Sequence, residues 1–413
     1  MRENVWPIVC NLLSNNGAAR YFADVKNNEL TEIVGGYLAK LGPYYAWAPY
    51  GLSSSIPRGV KIANLNLLGP LIDKRTQSAR KRMMAKAHAD GIVREEDARN
   101  QFFTGGAREL GADCILGAIE TSERPDKLSL PGIMKAVCTD PEGFFERIEM
   151  TNHEVWSEVF AGYRKGLKRG KGFEDILGTL ISEASFLKDA GLQESLCPSK
   201  NEIPTGQWGA QMMTIAQCLP MELLDQSGKI NRLFTQFIIG LTINSTRPRK
   251  TKIDLLIDET ASMGKLDSLV DAYRTGRAYG ARTWTSWTDI PSMNSVYGED
   301  DAAAIRSNSM IEIYFPSKDY ATALHVSKKT GIKDVVTRSK NVSWDREGWP
   351  TRSESVSQHQ REVMTPGEFQ DMAPSCHLLW VRGVPGTIRA VHKPYFKQWR
   401  YLGKYGKNSL YGK

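Results

Sequence analysis

Residues 251–264 read TKIDLLIDETASMG. From Ile253 to Ile257 the run is apolar, broken only by Asp254, and bounded by polar residues. A short apolar run of this kind is a buried strand. The strand leads directly into two acids, Asp258 and Glu259. An apolar strand ending in Asp-Glu is the Walker B arrangement. In it Asp258 is placed to hold the Mg²⁺ shell of a nucleotide, and Glu259 to orient or deprotonate an attacking water. A strand that simply ends in a polar turn has the same local pattern, so the surrounding chain decides between the two.

Working outward from this strand, Ser227–Leu241 precedes it as a helix carrying Leu233, Phe234, Phe237 and Ile238. Met212–Leu219, closed by Pro220, is a further strand. After the acids, Leu266–Tyr279 has helical spacing, with Leu266, Leu269, Val270 and Tyr273 on one face. Gly280 leads into a strand at Thr283–Thr288. The front of the chain repeats the alternation. Val5–Leu13 is a helix, Ala18–Val25 a strand, Glu29–Leu41 a helix stopped by Gly42-Pro43, and Tyr44–Tyr50 an aromatic strand. Strand–helix–strand alternation implies a parallel α/β sheet.

From Ala98 to about Ser199 the strand signal disappears. Phe102, Phe103, Ala107, Leu110, Cys114, Ile115 and Ala118 form a helical stripe. Residues 131–138, 142–149, 153–164 and 173–190 are helical as well, with 165–171 (KGLKRGK) reading as a short basic loop. The expected organisation is therefore a first sheet segment at 1–84, an all-α insertion at 85–199, and the remainder of the sheet at 200–413. Within the last part, Met310–Phe315 is one more strand, Asp319–Lys329 a helix, and residues 341–360 a polar, Ser-rich exposed loop or linker. Thr365-Pro-Gly-Glu368 has the form of a capping box. His377–Val381 and Thr387–Val391 flank Gly383-Val-Pro-Gly386 as a hairpin. The tail from Lys397, with Trp399, Tyr401, Tyr405 and Tyr411, reads as a floppy basic segment, or else as one that serves nucleic acid.

The chain has 413 residues, a formal charge of +8 and 41% hydrophobic residues, enough for substantial cores and a modest bias toward polyanionic partners. Its six cysteines are dispersed without a CxxC pair, which argues against a disulfide framework or a zinc site and fits a reducing setting. No run reaches the roughly 18–20 apolar residues of a membrane span. Lys74, Arg75, Arg80, Lys81 and Arg82 form a basic run that is a candidate for phosphate contact, or else a solvated helix face.

These segments together resemble the type IV secretion coupling proteins of bacterial conjugation, the TraG-like DNA-transfer ATPases. The resemblance is carried by PIVCNLL with ARYFADVKNNE, NQFFTGGARELGADCILGAI, TIAQCLPMELLD, LIDETASMGKLDSLVDAYRTGRAYGAR, NSVYGEDDAAAIRSN, EIYFPSKDYATALHVSKKTG and REVMTPGEF. It runs from about Val5 to Phe396. It implies a RecA-like P-loop NTPase sheet with an inserted all-α domain. It also implies ATP and Mg²⁺ as cofactors, a ring hexamer at the cytoplasmic face of the inner membrane, and partners in the single-stranded DNA–relaxase complex and the secretion channel. The all-α region at about 85–199 would take the family's role in substrate and DNA recognition. Asp258 maps onto the Mg²⁺-associated acid and Glu259 onto the catalytic glutamate. Arg277 is the residue expected to act across a subunit boundary. Thr288 stands where the family carries a glutamine beside the γ-phosphate, and KNNE replaces the family's K-G-E. A GxxxxGK[ST] loop is expected just before Val5, and the chain contains none. Without it, ATP binding by these residues alone is expected to be weak or absent. The expectation is either the bulk of a coupling protein whose anchor and P-loop have been lost by truncation, or a diverged, non-hydrolysing DNA-binding or docking subunit. A phage or chromosome-segregation motor is a third possibility, distinguished by lacking the helical insertion.

Overall fold

A computed structural model describes residues 2–14, 17–24, 28–52, 56–93, 101–220, 224–243, 250–344 and 346–407. Two units of the chain are each considered by themselves: residues 1–287 with 394–413, and residues 288–393.

The first unit is built on a six-stranded sheet: β1 (Ala18–Asp24), β2 (Tyr44–Trp47), β3 (Val60–Ile62), β4 (Thr214–Cys218), β5 (Lys252–Ile257) and β6 (Ala281–Thr285). Its order is β3-β2-β4-β1-β5-β6, and every neighbouring pair is parallel. Parallel pairing requires crossovers. Helix α1 (Arg2–Ser14) precedes the first strand, and the helical crossovers are α2 (Glu29–Leu41) after β1, α11 (Leu224–Ile243) after β4 and α12 (Asp267–Thr275) after β5. Between β3 and β4 run α3 (Gly69–Ile72), α4 (Ser78–Ile92), α5 (Gln101–Thr121), α6 (Leu130–Thr139), α7 (Pro141–Glu149), α8 (Trp156–Arg169), α9 (Lys171–Ala184) and α10 (Ala190–Ser195). β1 is buried at every position and β5 at all but its first, as expected of central strands covered on both faces.

Asp254, the polar break in β5, is explained by its neighbours across the ladder. Arg20 of β1 and Arg282 of β6 flank it in register, and the Arg282 Nε donates to Asp254 Oδ1 at 2.6 Å. Burial pushes the Asp254 carboxyl up, and the Arg282 hydrogen bond opposes that shift. A buried carboxylate in a strand is tolerable only when paired in this way.

On one face Phe22, Ala216 and Leu256 pack with Ile8, Leu12, Ile33, Val34 and Leu38 of α1 and α2. Gly42 closes α2 because a Cβ there would lie 2.2 Å from the Met212 carbonyl oxygen. The segment read as a floppy tail is part of this core. Tyr401 is 2% exposed, next to the buried Tyr395 that precedes the segment, the Tyr401 hydroxyl lies 2.8 Å from Ser14 Oγ, and Gly406 N donates to Ile33 O at 2.7 Å. Aromatic residues in a basic tail find an apolar surface that local sequence does not reveal. Tyr411 lies outside the described residues, as do Val25 and, of the KNNE turn, Lys26 and Asn27.

Between β3 and β4 the described residues are helical apart from turns and the isolated bridge Asn64–Glu202. The segment 165–171 is not a loop. α8 continues to Arg169, Gly170 breaks it with φ 92°, and α9 starts at once. Phe145, Phe160, Tyr163 and Phe173 form an aromatic cluster against α5, and Gly117 permits the approach, since a Cβ there would meet the Phe160 ring at 2.5 Å. α11 ties these helices to the sheet. The fully buried Arg232 donates to Gly91 O at 2.9 Å and Ile92 O at 2.8 Å, satisfying the carbonyls at the end of α4.

The second unit contains α13 (Ile290–Asn308), β7 (Ile311–Tyr314), α14 (Tyr320–Thr330), β8 (Ile332–Trp344), β9 (Pro350–Glu362), α15 (Pro366–Gln370), β10 (Cys376–Val381) and β11 (Ile388–Val391). β7 does not extend the parallel sheet. It pairs antiparallel with β10 in a three-stranded sheet, β11-β10-β7. The hairpin read at 377–391 and the Thr365–Glu368 capping box are both present. The segment read as an exposed loop at 341–360 is instead most of a two-stranded ribbon, paired without interruption from Ile332↔Glu362 to Trp344↔Pro350. Serine-rich strands with neither face buried carry no apolar alternation, so the periodicity test fails on them.

Candidate nucleotide-handling site at the sheet edge

Strand β5 ends at Ile257, and both acids emerge from the carboxyl edge of the sheet, where open α/β sheets place their ligands. Asp258 is 8% exposed, and its Oδ1 accepts from Glu259 N at 3.1 Å. Glu259 has φ 54° and ψ 43°, a left-handed conformation rare outside glycine. Its carbonyl accepts from Ser262 N at 3.0 Å and Ser262 Oγ at 2.8 Å. The turn is also tied to the neighbouring strand end. Ser286 N donates to Ile257 O at 3.0 Å, and Thr260 N donates to Ser286 O at 3.2 Å. Thr260 Oγ1 donates to Ile257 O at 3.2 Å. From the other side, Gly228 of α11 packs so closely that a Cβ would lie 2.5 Å from Ser262 O. A strained residue persists where surrounding bonds over-determine it, and such residues cluster at functional sites.

Beneath the turn lies a buried polar network that sequence reading missed. The Tyr21 hydroxyl donates to Gln217 Oε1 at 2.8 Å and lies 3.0 Å from Thr235 Oγ1. Gln217 Nε2 donates to Asn231 Oδ1 at 2.6 Å, and Thr235 Oγ1 reaches Met263 Sδ at 3.5 Å. The network links β1, β4 and α11 to the segment after Glu259. A glutamine, Gln217, inside the short buried strand TIAQC is its trace in the sequence.

Asp24 also escaped that reading. It ends β1 in register with Cys218, and its carboxylate accepts from Leu30 N at 3.2 Å and Thr31 N at 2.7 Å, capping α2. Complete burial raises its pKa to about 7, against the opposing pull of those N–H donors. The sequence signal was an aspartate closing an otherwise apolar strand, the same signal that singled out Asp258.

Arg277 stands in the turn Gly276–Tyr279, exposed, and its side chain makes no hydrogen bond or ion pair among the described residues. Gly280 N donates to Arg277 O, and Ile253 N donates to Gly280 O, both at 3.1 Å, so this turn feeds the start of β6 beside the start of β5. Arg277 therefore lies at the amino edge of the sheet, a strand length of about 16 Å from the acids at roughly 3.3 Å per residue. Thr288 is exposed and follows the end of β6, which closes at Thr285 rather than continuing to 288.

In the basic run, Arg75 forms a bidentate pair with Asp73 at 2.7 and 3.0 Å. Arg82 lies 3.6 Å from Glu109 and 3.5 Å from Asp113. Lys74, Arg80 and Lys81 make no ion pair among the described residues. The described residues contain no cluster of three or more metal-ligating His, Cys, Asp or Glu side chains, and no helix among them is long and apolar enough to cross a membrane. Asp258 nevertheless suits Mg²⁺, which binds through one or two carboxylates plus substrate phosphates rather than through an all-protein cage.

A six-stranded parallel α/β sheet of this kind, with an acidic turn at its carboxyl edge, has the RecA-like fold of the P-loop NTPases. More narrowly, the family model described as "Type IV secretory system Conjugative DNA transfer" matches residues 92–411, and the chain belongs to that family. It is 20% identical over 365 residues to the type IV secretion system-coupling protein VirD4 of Bartonella henselae, covering 85% of this chain and 56% of the relative. It is 28% identical over 170 residues to the conjugal transfer protein TraG of Escherichia coli, covering 40% of this chain and 26% of the relative. The chain thus spans about half the length of the VirD4 relative. Among solved structures it is similar to the bacterial conjugative coupling protein TrwBdeltaN70, with TM-score 0.65 and 15% identity over 94% of this chain and 81% of that one. It is also similar to TrwB in complex with ADP and Mg²⁺, with TM-score 0.60 and 13% identity over 94% and 88%.

Proposed function

We propose that this chain is a coupling protein, or the greater part of one, which brings a DNA–relaxase substrate to a type IV secretion channel. The observation that carries this reading is the family match over 92–411 combined with an Asp-Glu pair at the end of the central strand β5. In this reading Asp258 holds the Mg²⁺ shell and Glu259 positions and deprotonates water. The left-handed turn fixes the direction in which the glutamate side chain leaves the sheet. Mg²⁺ held by Asp258 would supply neutralisation of the charge that develops on the phosphates. Arg277, on the opposite edge, is too far away to serve the same nucleotide. It fits a role toward a neighbouring copy in a ring, whose hexameric form, placement at the membrane and channel partners belong to this proposal.

The helical residues 85–199 are proposed as the inserted recognition domain, with 1–84 and 200–413 around it. The phosphate cradle that P-loop proteins form from backbone N–H groups is not encoded in these 413 residues, so tight Mg-ATP binding is expected only where that cradle is supplied. Thr288, in place of an amide side chain and beyond the end of its strand, favours a second reading: a docking or DNA-binding subunit that does not hydrolyse ATP.

A mating assay separates the readings. In donor cells carrying Glu259→Gln as the sole copy, the motor reading expects transfer to fall by roughly 10²–10⁴, the usual contribution of a general base. Unimpaired transfer would assign the docking role. Transfer that survives deletion of the whole gene would sink both.

A further inference from the structure

The ribbon β8–β9 has no place in the nucleotide chemistry, yet it is the longest paired element among the described residues, with 13 residues in each strand. At about 3.3 Å per residue it is roughly 40 Å long. Its base is fixed by the bidentate Arg361–Glu368 pair at 2.7 Å and by Val363 N donating to Gly331 O at 2.9 Å. Beyond the base both of its faces are open to solvent. An isolated two-stranded hairpin is marginal in water, so so long an arm calls for something to lie against it.

The register sorts its side chains onto two unlike faces. Directly paired residues of an antiparallel ladder share a face, and successive residues alternate. One face carries Thr337, Ser339, Asn341, Ser353, Ser355 and Ser357, uncharged hydroxyls and an amide. The other carries Arg338, Lys340 and Arg352, interleaved with Val336, Val342 and Val356 and finished at the tip by Trp344. Trp344 is 70% exposed, and Trp349 across the turn is 69% exposed. None of the three cations forms an ion pair among the described residues, and the acid on their stretch of the shaft is Glu354, opposite Lys340. The contrast with the basic run at 74–82 is direct, since there Arg75 and Arg82 are already matched by carboxylates.

We infer that the β8–β9 ribbon is an arm that binds single-stranded DNA, its shaft cations and hydroxyls following the sugar–phosphate strand while Trp344 stacks on a base. Unmatched cations on a projecting element complement a polyanion. Ser, Thr and Asn side chains are common donors to phosphate and sugar. An exposed aromatic beside cations is the stacking platform that single-strand binders use without regard to sequence. Burial in a bilayer is disfavoured by Arg346 and Glu347 in the turn after Trp344. The inference rests on the reading of this family member as a DNA carrier and adds to it the site of contact.

The test uses the full chain without nucleotide and a fluorescein-labelled 30-nucleotide oligo-dT, followed by anisotropy across a salt series. The triple variant Arg338→Gln/Lys340→Gln/Arg352→Gln should reduce the slope of log K against log salt by about 2, from 0.7 per phosphate contact on a single strand. Trp344→Ala should weaken binding roughly 5- to 150-fold, from the usual contribution of base stacking. A parallel variant, Lys74→Gln/Arg80→Gln/Lys81→Gln, should leave the ribbon's share of the slope in place. Matching circular dichroism melts establish that each variant is folded. Wild-type binding that both ribbon variants leave unchanged overturns the arm while sparing the coupling-protein reading. The absence of any DNA binding by the wild-type chain overturns both. Ribbon variants that change only the oligomeric state, only binding to anionic lipid vesicles, or only binding to a duplex of the same sequence would also overturn it.

Discussion

Strands β5 and β8 lie in one chain and obey opposite physics. Every residue of β5 after Lys252 is buried between paired neighbours, so its side chains are dictated by packing and by the Arg20–Asp254–Arg282 row. β8 is exposed along nearly its whole length and pairs with a single partner. Among the described residues, no buried core selects its valines, cations or tryptophan. A strand held from both sides can set the direction of a catalytic pair within a narrow range, and it pays for this with intolerance to change. A strand held at its base alone is free to vary and gains its meaning from what it meets outside the fold.

The comparison is broken if the two strands respond alike to truncation. Leu255→Ala, at a fully buried position of β5, should cost about 2–5 kcal/mol in urea unfolding. Val342→Ala in the ribbon, where the side chain is 51% exposed, should stay within about 0.5 kcal/mol. Equal losses would mean that the ribbon is covered in the isolated protein.

A pH series probes the buried edge next. Asp24 has a folded-state pKa near 7, above its ordinary value of 3.8. Between those values the unfolded chain binds fewer protons than the folded one. Its contribution to stability is therefore complete below about pH 4 and is lost as the pH rises toward 7, at up to about 1.4 kcal/mol per pH unit. Asp24→Asn removes this titration, so the stability difference between wild type and variant should change across pH 4–7 and be level above it. A difference that is level throughout would mean that Asp24 ionises in the fold as it does in water. Asp90, Asp113 and Asp254 are also raised by burial, and taking the difference cancels their share.

A smaller effect tests the strain at the site. Glu259 is left-handed, so Glu259→Gly should raise the unfolding free energy by about 1 kcal/mol while removing the carboxylate. A loss of stability would show that the glutamate side chain holds the turn together. The smallest expected effect is on the ribbon. Trp344→Ala should shift the melting midpoint by no more than a surface substitution does, within about 0.5 kcal/mol, so any loss of DNA binding it causes is not a loss of fold.

Much of this architecture could be read without coordinates because its signals are local. An apolar run ending in Asp258-Glu259, a helix stopped by Gly42-Pro43, and the capping box at Thr365 each declare themselves within a few residues. So does the family resemblance, which rests on ordered short blocks. Three features were decided by contacts between distant segments: the turn around Arg277 falling at the opposite edge of the sheet from the acids, the Tyr21–Gln217–Asn231 network, and the docking of Tyr401 on α1. The serine-rich ribbon is a local hairpin, hidden because its exposed strands carry no apolar alternation. A residue's neighbours along the chain set its backbone preference and whether its side is apolar. Which edge, core or partner it meets depends on strand order and crossover path, and these emerge only when segments hundreds of residues apart compete to bury the same surface.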